Sequence, residues 1–562
     1  MNILGITGYF HDPAAALLIN GKLVAYIEEE RICRVKHAPQ TFPEKAIEYC
    51  LKEAGLTFND IDAMVCEHDL DLIVRHDKEM EPYKSIFAKN ANYASNHSAS
   101  YLAVKKLISN YASSNGISNI YFASHHDTHL ATAYYGSGFD DALILSIDGR
   151  GDTQSTVIAK GSNGCIDILD EVLLPSSLGL LYANVTQFLG YTPFEGEGTV
   201  MGLAAYGEDR YSDFFNTLVH KIGHKFTVRP EASFNNLFDG YCQDIPSPFV
   251  NKFGAPRKYT VDPRNGVDEH IAASLQACIE RTVCDYIGYY MRLTGIKKLC
   301  IAGGVAMNSK MNGYIYKNLV PEDMYVFPVS GDAGCSIGGA MWYAKNVCHE
   351  EISPISNIYC GPSYSDDDIN TVLASCAGVE VTTPADMPNE VASMIADHKI
   401  VGWFHGRMEG GARALGARSI LSNPSAIEDK DAVNIGVKFR EPWRPFAPSI
   451  LYEHRSRYMG SDILAPFMTI TFDVPEQVRH EIPATMHVDG TIRAQTVRRE
   501  DNLLYYKLIK SFGEKTGTPV ISNTSFNRKG EPIVNTPLQA LEMFMETKMD
   551  ALSMGSYLVT KN

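Results

Sequence analysis

Short apolar runs alternate with polar, glycine-containing loops through the first part of the chain. From Ile3, "ILGITGYFHDPAAALLINGKLVAYIEEE" predicts a strand, a polar loop, a second strand, an Asn20-Gly21 turn and a third strand. The same order returns from Leu143 in "LILSIDGRGDTQSTVIAKGSNGCIDILDEV", with a turn at Asn163-Gly164. Two such units predict an internally duplicated α/β fold, and two unrelated hairpins are the alternative.

Helical spacing and further strand ends fill the rest of this region. "PEKAIEYCLKEAGL" from Pro43 and "SASYLAVKKLISNY" from Ser98 predict helices, with Ser98 as an N-cap. "KKLCIAGGVAMNSKMN" predicts a buried strand that ends at a Gly303-Gly304 turn before a helix, and "MYVFPVSGDAGCSIGGAMWYAK" repeats that plan around Asp332. Loops at the carboxyl ends of such strands are where open α/β sheets bind ligands.

The pattern changes between about Asn346 and Asp366, where Pro, Ser and Asp replace the periodic hydrophobic residues. A chain of 562 residues is too long for one hydrophobic core. We therefore predict two domains, residues 1–355 and residues 356–562.

Composition narrows the class of protein. The net charge of -16 argues against general binding to nucleic acid or to anionic membranes, because both would favour a broad basic surface. Polar residues interrupt the first twenty positions and no run of eighteen uncharged apolar residues occurs, so we expect no export signal and no membrane span. The twelve cysteines include no CxxC pair, which is typical of reduced thiols and predicts a cytoplasmic protein.

Three of the 17 histidines lie within five positions, in "SHHDTHLATAYYGSGF". His125 and His129 are four residues apart in a predicted helix, so both imidazoles lie on one face and can chelate one metal ion. A core or capping role is the alternative for such a pair. Further ligands are expected from acidic loops at strand ends, with Asp148 and Asp332 as the candidates.

Two other groups could bind anions. The glycines of "DGRGD" and "AGGVAMN" suit close approach of a phosphate, although tight turns explain them equally well and no Walker motif is present. In the second domain the basic residues are interleaved with Gly, Pro and aromatic residues, which favours a phosphate or carboxylate pocket over a solvated face. That basic set is Arg407, Arg413, Arg418, Lys438, Arg440, Arg444, Arg493, Arg498 and Arg499. In "SNTSFN", Asn523, Ser525 and Asn527 alternate on one face of a possible strand, with turn chemistry as the alternative.

At these residues the chain resembles the bacterial O-carbamoyltransferase family often called NodU/CmcH, whose members act in nodulation-factor, cephamycin and aminoglycoside biosynthesis. The resemblance covers nearly the whole length. It rests on ordered motifs that include "FHDPAAALL", "EEERICRVKH", "HHDTHLATAYYGSGF", "DGRGD", "GEGTVMGLAAYG", "GGVAMN", "GARALGARSIL", "KFREPWRPFAPSIL", "HVDGTIRAQTV" and "NTSFN".

The resemblance implies a duplicated actin-like, sugar-kinase-like ATPase domain, similar to threonylcarbamoyl transferases, followed by a YrdC-like α/β domain. It implies that the second domain makes carbamoyl adenylate from carbamoyl phosphate and ATP, with Mg. The carbamoyl group would then pass to the first domain, where a hydroxyl of a small natural product accepts it.

The resemblance also assigns roles to residues. It implies that His125, His129 and Asp332 hold a divalent metal, with Fe(II) expected and Zn or Mn compatible with the same ligand types. His11 would take the proton of the acceptor hydroxyl, and Lys36 would neutralise an oxyanion or phosphate. The nucleotide in the first domain would be surrounded by Asp148, Gly303, Gly304 and Asn308. The second domain would bind carbamoyl phosphate and ATP through Arg413, Lys438, Arg440, Arg444, Arg493, Asn523 and Ser525.

The chain departs from the usual family pattern at Pro13 and Ala412, so the loop geometry beside His11 and Arg413 is less closely determined. Residues 69–96 and 210–262 are expected to line the acceptor site. A sugar-kinase-like phosphotransferase that uses only the first domain is the alternative enzyme, and a non-catalytic sensor of nucleotide or carbamoyl phosphate is the alternative outside enzymes.

Overall fold

The computed structural model describes residues 1–73, 93–233 and 245–562, and of residues 93–100 it describes the helical backbone. These residues form two compact units. The first unit contains residues 1–25 and 40–355, and the second contains residues 26–39 and 356–562. Parts of the segments expected to line the acceptor site, 74–92 and 234–244, lie outside the described residues.

The strands of the first unit follow the hairpin pattern predicted from the sequence. They are β1 (Asn2–Thr7), β2 (Ala14–Ile19), β3 (Lys22–Glu28), β4 (Ala63–Glu67), β5 (Ile120–Ala123), β6 (Asp141–Ile147), β7 (Gln154–Ser162), β8 (Cys165–Leu173), β9 (Val219–Ile222), β10 (Lys225–Val228), β11 (Lys298–Ala302) and β12 (Asp323–Val326). The last three residues of β3 are grouped with the second unit.

Two five-stranded sheets repeat one topology. The first has the order β3-β2-β1-β4-β5 and the second has the order β8-β7-β6-β11-β12, each read from its hairpin edge. In both, the first strand along the chain (β1 or β6) pairs antiparallel with the second (β2 or β7) and parallel with the fourth (β4 or β11), which pairs parallel with the fifth (β5 or β12). This repetition confirms the predicted duplication. It also places the carboxyl ends of β1, β4 and β5 at one edge, and those of β6, β11 and β12 at the corresponding edge.

Helices cover these sheets and connect their parallel strands. They are α2 (Glu44–Ala54), α3 (Tyr93–Ser114), α4 (His125–Ser137), α5 (Leu178–Phe188), α6 (Glu197–Ala204), α7 (Ser212–Asn216), α8 (Pro230–Ser233), α9 (Ser247–Phe253), α10 (Asp268–Thr294), α11 (Ser309–Leu319) and α12 (Cys335–Asn346), while α1 (Glu29–Cys33) belongs to the second unit. Ser98 lies inside α3, so its predicted role as an N-cap is wrong.

Helices α4 and α12 occupy equivalent positions, since each follows the last strand of its sheet. They pack so closely that a Cβ on Gly338 of α12 would lie 2.0 Å from the carbonyl oxygen of Thr128 of α4. No side chain fits there without a shift of the backbone. This contact therefore sets the distance between the two helix N-termini.

The second unit is built on an eight-stranded mixed sheet, with the order β13-β22-β21-β14-β15-β20-β16-β19. Trp403 and Phe404 are successive residues of one strand and belong to two different hydrophobic clusters, as successive side chains on opposite faces of a sheet do. The strands are β13 (Val379–Thr382), β14 (Val401–Phe404), β15 (Arg418–Ser422), β16 (Ala447–Leu451), β17 (Phe472–Asp473), β18 (Thr491–Ile492), β19 (Gln495–Val497), β20 (Val520–Ser525), β21 (Ala551–Met554) and β22 (Tyr557–Lys561). The helices are α13 (Asp366–Ala374), α14 (Met387–Ala396), α15 (Ile427–Val433), α16 (Arg455–Met459), α17 (Leu503–Thr516) and α18 (Pro537–Glu546).

Both units thus have the mixed α/β character predicted from the sequence. Within the part of the chain that the structure describes, the helices are too short or too polar to cross a bilayer. The eleven cysteines of that part are free thiols.

Candidate metal centre and anion site

Four ligand-bearing side chains converge at the edge where the parallel strands of the first unit end. His125 opens α4 directly after β5 and His129 follows one turn later, while Asp148 follows β6 and Asp332 lies in the turn before α12. His129 Nε2 is 3.1 Å from Asp148 Oδ2 and 3.8 Å from Asp332 Oδ1. His125 Nε2 lies 3.7 Å and 3.8 Å from the same two oxygens. The structure therefore brings His125, His129 and Asp332 together with Asp148, the other acidic candidate from the sequence.

The chemistry of this donor set fits a divalent ion. The ligand atoms all lie within 4.8 Å of one another, and donors that share one ion at about 2.1 Å are roughly 3.0 to 3.5 Å apart, so a small contraction suffices. The side chain of His125 is fully buried, yet neither of its ring nitrogens has a hydrogen-bond partner among the described residues. A buried imidazole without partners is costly unless a ligand satisfies it.

Electrostatics point the same way. Burial alone would lower the pKa of His129, but Cys335, Asp148 and Asp332 raise that pKa well above its usual range. Burial would raise the pKa of Asp148, whereas His125 and His129 hold it well below its usual range. The site thus favours positive charge between its carboxylates, and a divalent cation supplies that charge in place of protons.

His11, the predicted base, lies at the rim of this centre. Its side chain is 49% exposed, with Nδ1 3.2 Å from Asp12 Oδ2 and Nε2 3.4 Å from Asp332 Oδ2. Burial lowers the pKa of His11, but the hydrogen bond to Asp12 and the charges of Asp332, Asp12 and Glu67 raise it to about 10. Without a cation beside Asp332, His11 therefore carries a proton at neutral pH.

The residues predicted to surround the nucleotide shape the loop that holds Asp148. Gly303 has φ +97°, and a Cβ there would lie 2.1 Å from the carbonyl oxygen of Ile147. The N–H of Gly304 donates to Asp148 Oδ2 at 2.8 Å. Asn308 caps α11 by accepting from the N–H of Met311. Asp148 is thereby turned toward the histidines.

Lys36, predicted to neutralise an oxyanion, belongs to the segment grouped with the second unit. Its Nζ lies 3.0 Å from both carboxylate oxygens of Glu30. Lys36 and Glu30 therefore form an ion pair within that segment.

Sequence reasoning missed two groups at the metal centre. Glu67 ends β4 with its Oε2 3.7 Å from His125 Nδ1, and Cys335 Sγ lies 3.4 Å from His129 Nε2. An acid at the end of a buried strand was the signal that singled out Asp148, and "AMVCEHD" shows it for Glu67 as well. His126, between the two histidine ligands along the chain, instead contacts Ser146, with its Nδ1 2.6 Å from Ser146 Oγ.

The second unit gathers the five predicted cationic residues into one electrostatic cluster. Burial and the charges of Arg413, Arg440 and Arg444 lower the pKa of Arg493 well below its usual range, and its Nη1 is buried without a partner among the described residues. Burial and Arg444 likewise lower the pKa of Arg413 to about 10. Cations that lower one another's pKa in this way make the cluster a candidate site for an anion.

Lys438 belongs to this cluster, since the charges of Arg440 and Arg444 act on it, and it is 3% exposed. Its Nζ donates to the carbonyl oxygen of Ser525 at 2.6 Å, to Ser525 Oγ at 3.1 Å and to Asn527 Oδ1 at 2.7 Å. Burial, followed by the charges of Arg440 and Arg444, lowers the pKa of Lys438 well below its usual range. Ser525 therefore positions the ammonium group.

Asn523 and a residue missed in the sequence hold the surrounding loops. The side-chain amide of Asn523 donates to the carbonyl oxygen of Ala414, next to Arg413. The buried side chain of Asn434 accepts from Arg440 Nε at 2.7 Å and donates to the carbonyl oxygen of Arg444 at 3.0 Å. Asparagines thus fix the backbone that presents the cations.

Three other arginines of the basic set have structural partners. Arg407 and Arg418 donate to backbone carbonyl groups, including those of Gly361 and Pro362. Arg498 pairs with Asp501 at 2.7 Å. These three side chains thus make contacts with groups other than the cations of the cluster.

Comparison with known proteins covers both units. Residues 2–341 match the model of the carbamoyltransferase N-terminus, and residues 392–561 match that of the carbamoyltransferase C-terminus. The chain is 34% identical to nodulation protein NolNO of Sinorhizobium fredii over 98% of this chain and 79% of the relative. It is 35% identical to nodulation protein NolO of Bradyrhizobium diazoefficiens over 78% of this chain and 79% of the relative. Among solved structures, full-length HypF in its phosphate- and nucleotide-bound form is 13% identical with a TM-score of 0.38, over 63% of this chain and 47% of that chain.

Proposed function

The chain belongs to the carbamoyltransferase family, and we propose that it makes carbamoyl adenylate from carbamoyl phosphate and ATP and transfers the carbamoyl group to a hydroxyl of a small molecule. The second unit performs the adenylation and the first unit the transfer. Adenylation consumes one water and releases inorganic phosphate from carbamoyl phosphate and pyrophosphate from ATP, and AMP leaves when the carbamoyl group reaches the acceptor.

The cationic cluster of the second unit is the observation that carries this proposal. Lys438 is buried and Arg493 is half-buried with a buried Nη1, both next to other cations, and this arrangement costs stability in the absence of an anion. Carbamoyl phosphate and the phosphates of ATP supply several negative charges and acceptor oxygens. A phosphotransferase that used only the first unit would have no need of this cluster.

In the first unit, His125, His129, Asp148 and Asp332 would hold a divalent metal, for which Fe(II) suits two imidazoles and carboxylates with open positions. When bound, the metal would polarise the adenylate phosphate as a Lewis acid and favour departure of AMP. The same four side chains orient the phosphate and exclude water, because three of them are almost fully buried.

His11 is the group of the first unit that would take the proton of the acceptor hydroxyl. Its exposed imidazole is accessible to a small molecule, and its Nε2 faces Asp332 at 3.4 Å. Acceptance of a proton requires the neutral ring. A cation bound by Asp332 weakens the pull of that carboxylate on the proton of His11 and so favours the basic form.

The experiment separates the two half-reactions. Purified protein receives carbamoyl phosphate, ATP, Mg²⁺ and Fe(II), with a panel of polyols and sugar-like alcohols as acceptors. Pyrophosphate release reports adenylation, and a mass gain of one carbamoyl group reports transfer. Pyrophosphate that never forms under any metal condition would refute the proposal, and a phosphorylated acceptor would indicate a kinase instead.

Matched variants assign each half-reaction to its unit. Lys438→Met should abolish pyrophosphate release, whereas His125→Ala should retain it and lose transfer to the acceptor. Arg498→Met is the control, since Arg498 pairs with Asp501 outside the cluster. Equal loss of pyrophosphate in His125→Ala and Lys438→Met would contradict the division of labour.

A further inference from the structure

Glu67 occupies the centre of the edge at which the first unit gathers its ligands. It is the last residue of β4, which lies between β1 and β5 in the sheet. The strand on one side leads into the loop that carries His11, and the strand on the other leads into α4 with His125. A side chain at this position reaches both neighbours.

The two carboxylate oxygens of Glu67 face these two neighbours. Oε1 accepts the N–H of Gly8 at 2.9 Å, at the start of the His11 loop. Oε2 lies 3.7 Å from His125 Nδ1, and both atoms are buried without another partner among the described residues. Glu67 is 6% exposed, so water does not readily replace either contact.

The rest of His125 is already fixed. Its backbone N–H donates to Asp152 Oδ2 at 2.9 Å. The ring of His68 stacks on its ring with centroids 4.6 Å apart, and His68 Nδ1 is held by Asp152 Oδ1 at 2.9 Å. These contacts do not determine the rotation and tautomer of the His125 ring. A partner at Nδ1 determines both.

We propose that Glu67 is a positioning residue that holds the His125 ring and the His11 loop with one carboxylate. Its Oε2 accepts a hydrogen bond from His125 Nδ1–H, which leaves Nε2 as the ligand atom directed at Asp148 and Asp332. Its Oε1 fixes the base of the His11 loop. The inference rests on the proposed metal centre, and it adds that one side chain couples the position of the ligand to the position of the base.

Metal binding to the full-length protein tests this without any reaction. Metal-free wild type, Glu67→Ala and Glu67→Gln are titrated with Co²⁺ by calorimetry, and the visible spectrum reports the ligand geometry. Loss of such an outer partner weakens metal binding by about 10- to 100-fold. We expect Glu67→Ala in that range, and Glu67→Gln between it and wild type, because an amide oxygen serves only one of the two donors.

Asp62→Asn is the matched control. Asp62 precedes the same strand β4, and its Oδ2 accepts the N–H of Asn2 of β1 at 2.7 Å, at the opposite edge of the sheet. The variant replaces a comparable carboxylate contact to β1 by an amide contact, as Glu67→Gln does, so we expect Co²⁺ affinity within twofold of wild type. Circular dichroism verifies that each variant is folded before titration.

The outcomes are distinct. Co²⁺ affinity of folded Glu67→Ala and Glu67→Gln within twofold of wild type would overturn the role of Glu67 and leave the metal centre intact. A wild type that binds no Co²⁺ would overturn both the metal centre and this inference. A loss of affinity in Asp62→Asn equal to that in Glu67→Ala would show a general effect of the sheet and would also refute the role.

Discussion

Replacement of Arg493 by methionine should make the protein more stable and less active. Arg493 Nη1 is buried without a partner among the described residues, and Arg413, Arg440 and Arg444 disfavour its charge. An unsatisfied buried charged donor costs about 1 to 3 kcal/mol, and methionine keeps much of the aliphatic stem. Taking about 1 to 2 kcal/mol of gain, Tm of the second unit should rise by about 2 to 8 °C.

Replacement of Arg493 by methionine should also weaken the binding of anions to the second unit. A charge-assisted hydrogen bond to phosphate contributes about 1.5 to 3 kcal/mol, so apparent affinity for carbamoyl phosphate should fall roughly 10- to 150-fold. Thermal unfolding is followed by tryptophan fluorescence in a Trp342→Phe background, which leaves Trp403 and Trp443 in the second unit. Wild type should gain Tm on addition of carbamoyl phosphate, and Arg493→Met should gain much less.

Arg498→Met provides the control for this prediction, because Arg498 is 23% exposed and already paired with Asp501. It should lower Tm slightly or leave it unchanged, and it should keep the full response to carbamoyl phosphate. An Arg493→Met protein that is less stable than wild type in anion-free buffer would refute the reasoning about the cluster. An Arg493→Met protein whose Tm rises with carbamoyl phosphate as much as that of wild type would refute it as well.

Three further predictions follow from other sites. Burial, followed by the charge of Arg418, lowers the pKa of His405 to about 3. Because this value lies below the ordinary 6.5, the free energy of unfolding should decrease as the pH falls from about 6.5 toward 3, by up to about 1.4 kcal/mol per pH unit. In urea unfolding measured across this pH range, His405→Asn should reduce the decrease of the unfolding free energy, whereas replacement of the exposed His480 by Asn should not. An equally steep decrease in wild type and His405→Asn would contradict this prediction. Asp148→Asn should lower bound Fe(II) measured by metal analysis at least tenfold, and full metal content would remove Asp148 from the ligand set. Gly338→Ala should destabilise the first unit and lower its metal content, because the new Cβ would lie 2.0 Å from the carbonyl oxygen of Thr128. Gly198→Ala is the control and should be neutral, because a Cβ there has open space around it. Equal Tm and metal content in the two variants would show that α4 and α12 can move apart without effect.

The sequence was sufficient to predict features that local patterns encode. Apolar runs around Asn20-Gly21 and Asn163-Gly164 predicted both hairpins, and four-residue spacing placed His125 and His129 on one helix. Asp332 could be predicted as a partner of the histidines because loops after parallel strands meet at one edge. These inferences require only short-range periodicity and one general rule of sheet topology.

Other features depend on contacts that no local pattern encodes. Residues 26–39 begin inside β3, yet they are grouped with the second unit, and their apolar pattern does not show which core receives them. The ion pair between Lys36 and Glu30 could not be predicted, because the two side chains meet only once the segment folds back on itself. Asp148 was predicted to face the nucleotide, and the Gly304 N–H that turns its carboxylate toward the histidines comes from a loop 156 residues away.

The duplication explains why the candidate metal centre draws on segments about two hundred residues apart. In each half the loop after the first strand and the turn after the last strand meet at one edge, because these strands run parallel. The first half places His11 and His125 at these two positions, and the second half places Asp148 and Asp332 at the equivalent ones. Equivalent positions have thus diverged into imidazoles on one side and carboxylates on the other. A cation bound between them is held by both halves at once, so its affinity should respond to any change in the packing of α4 against α12.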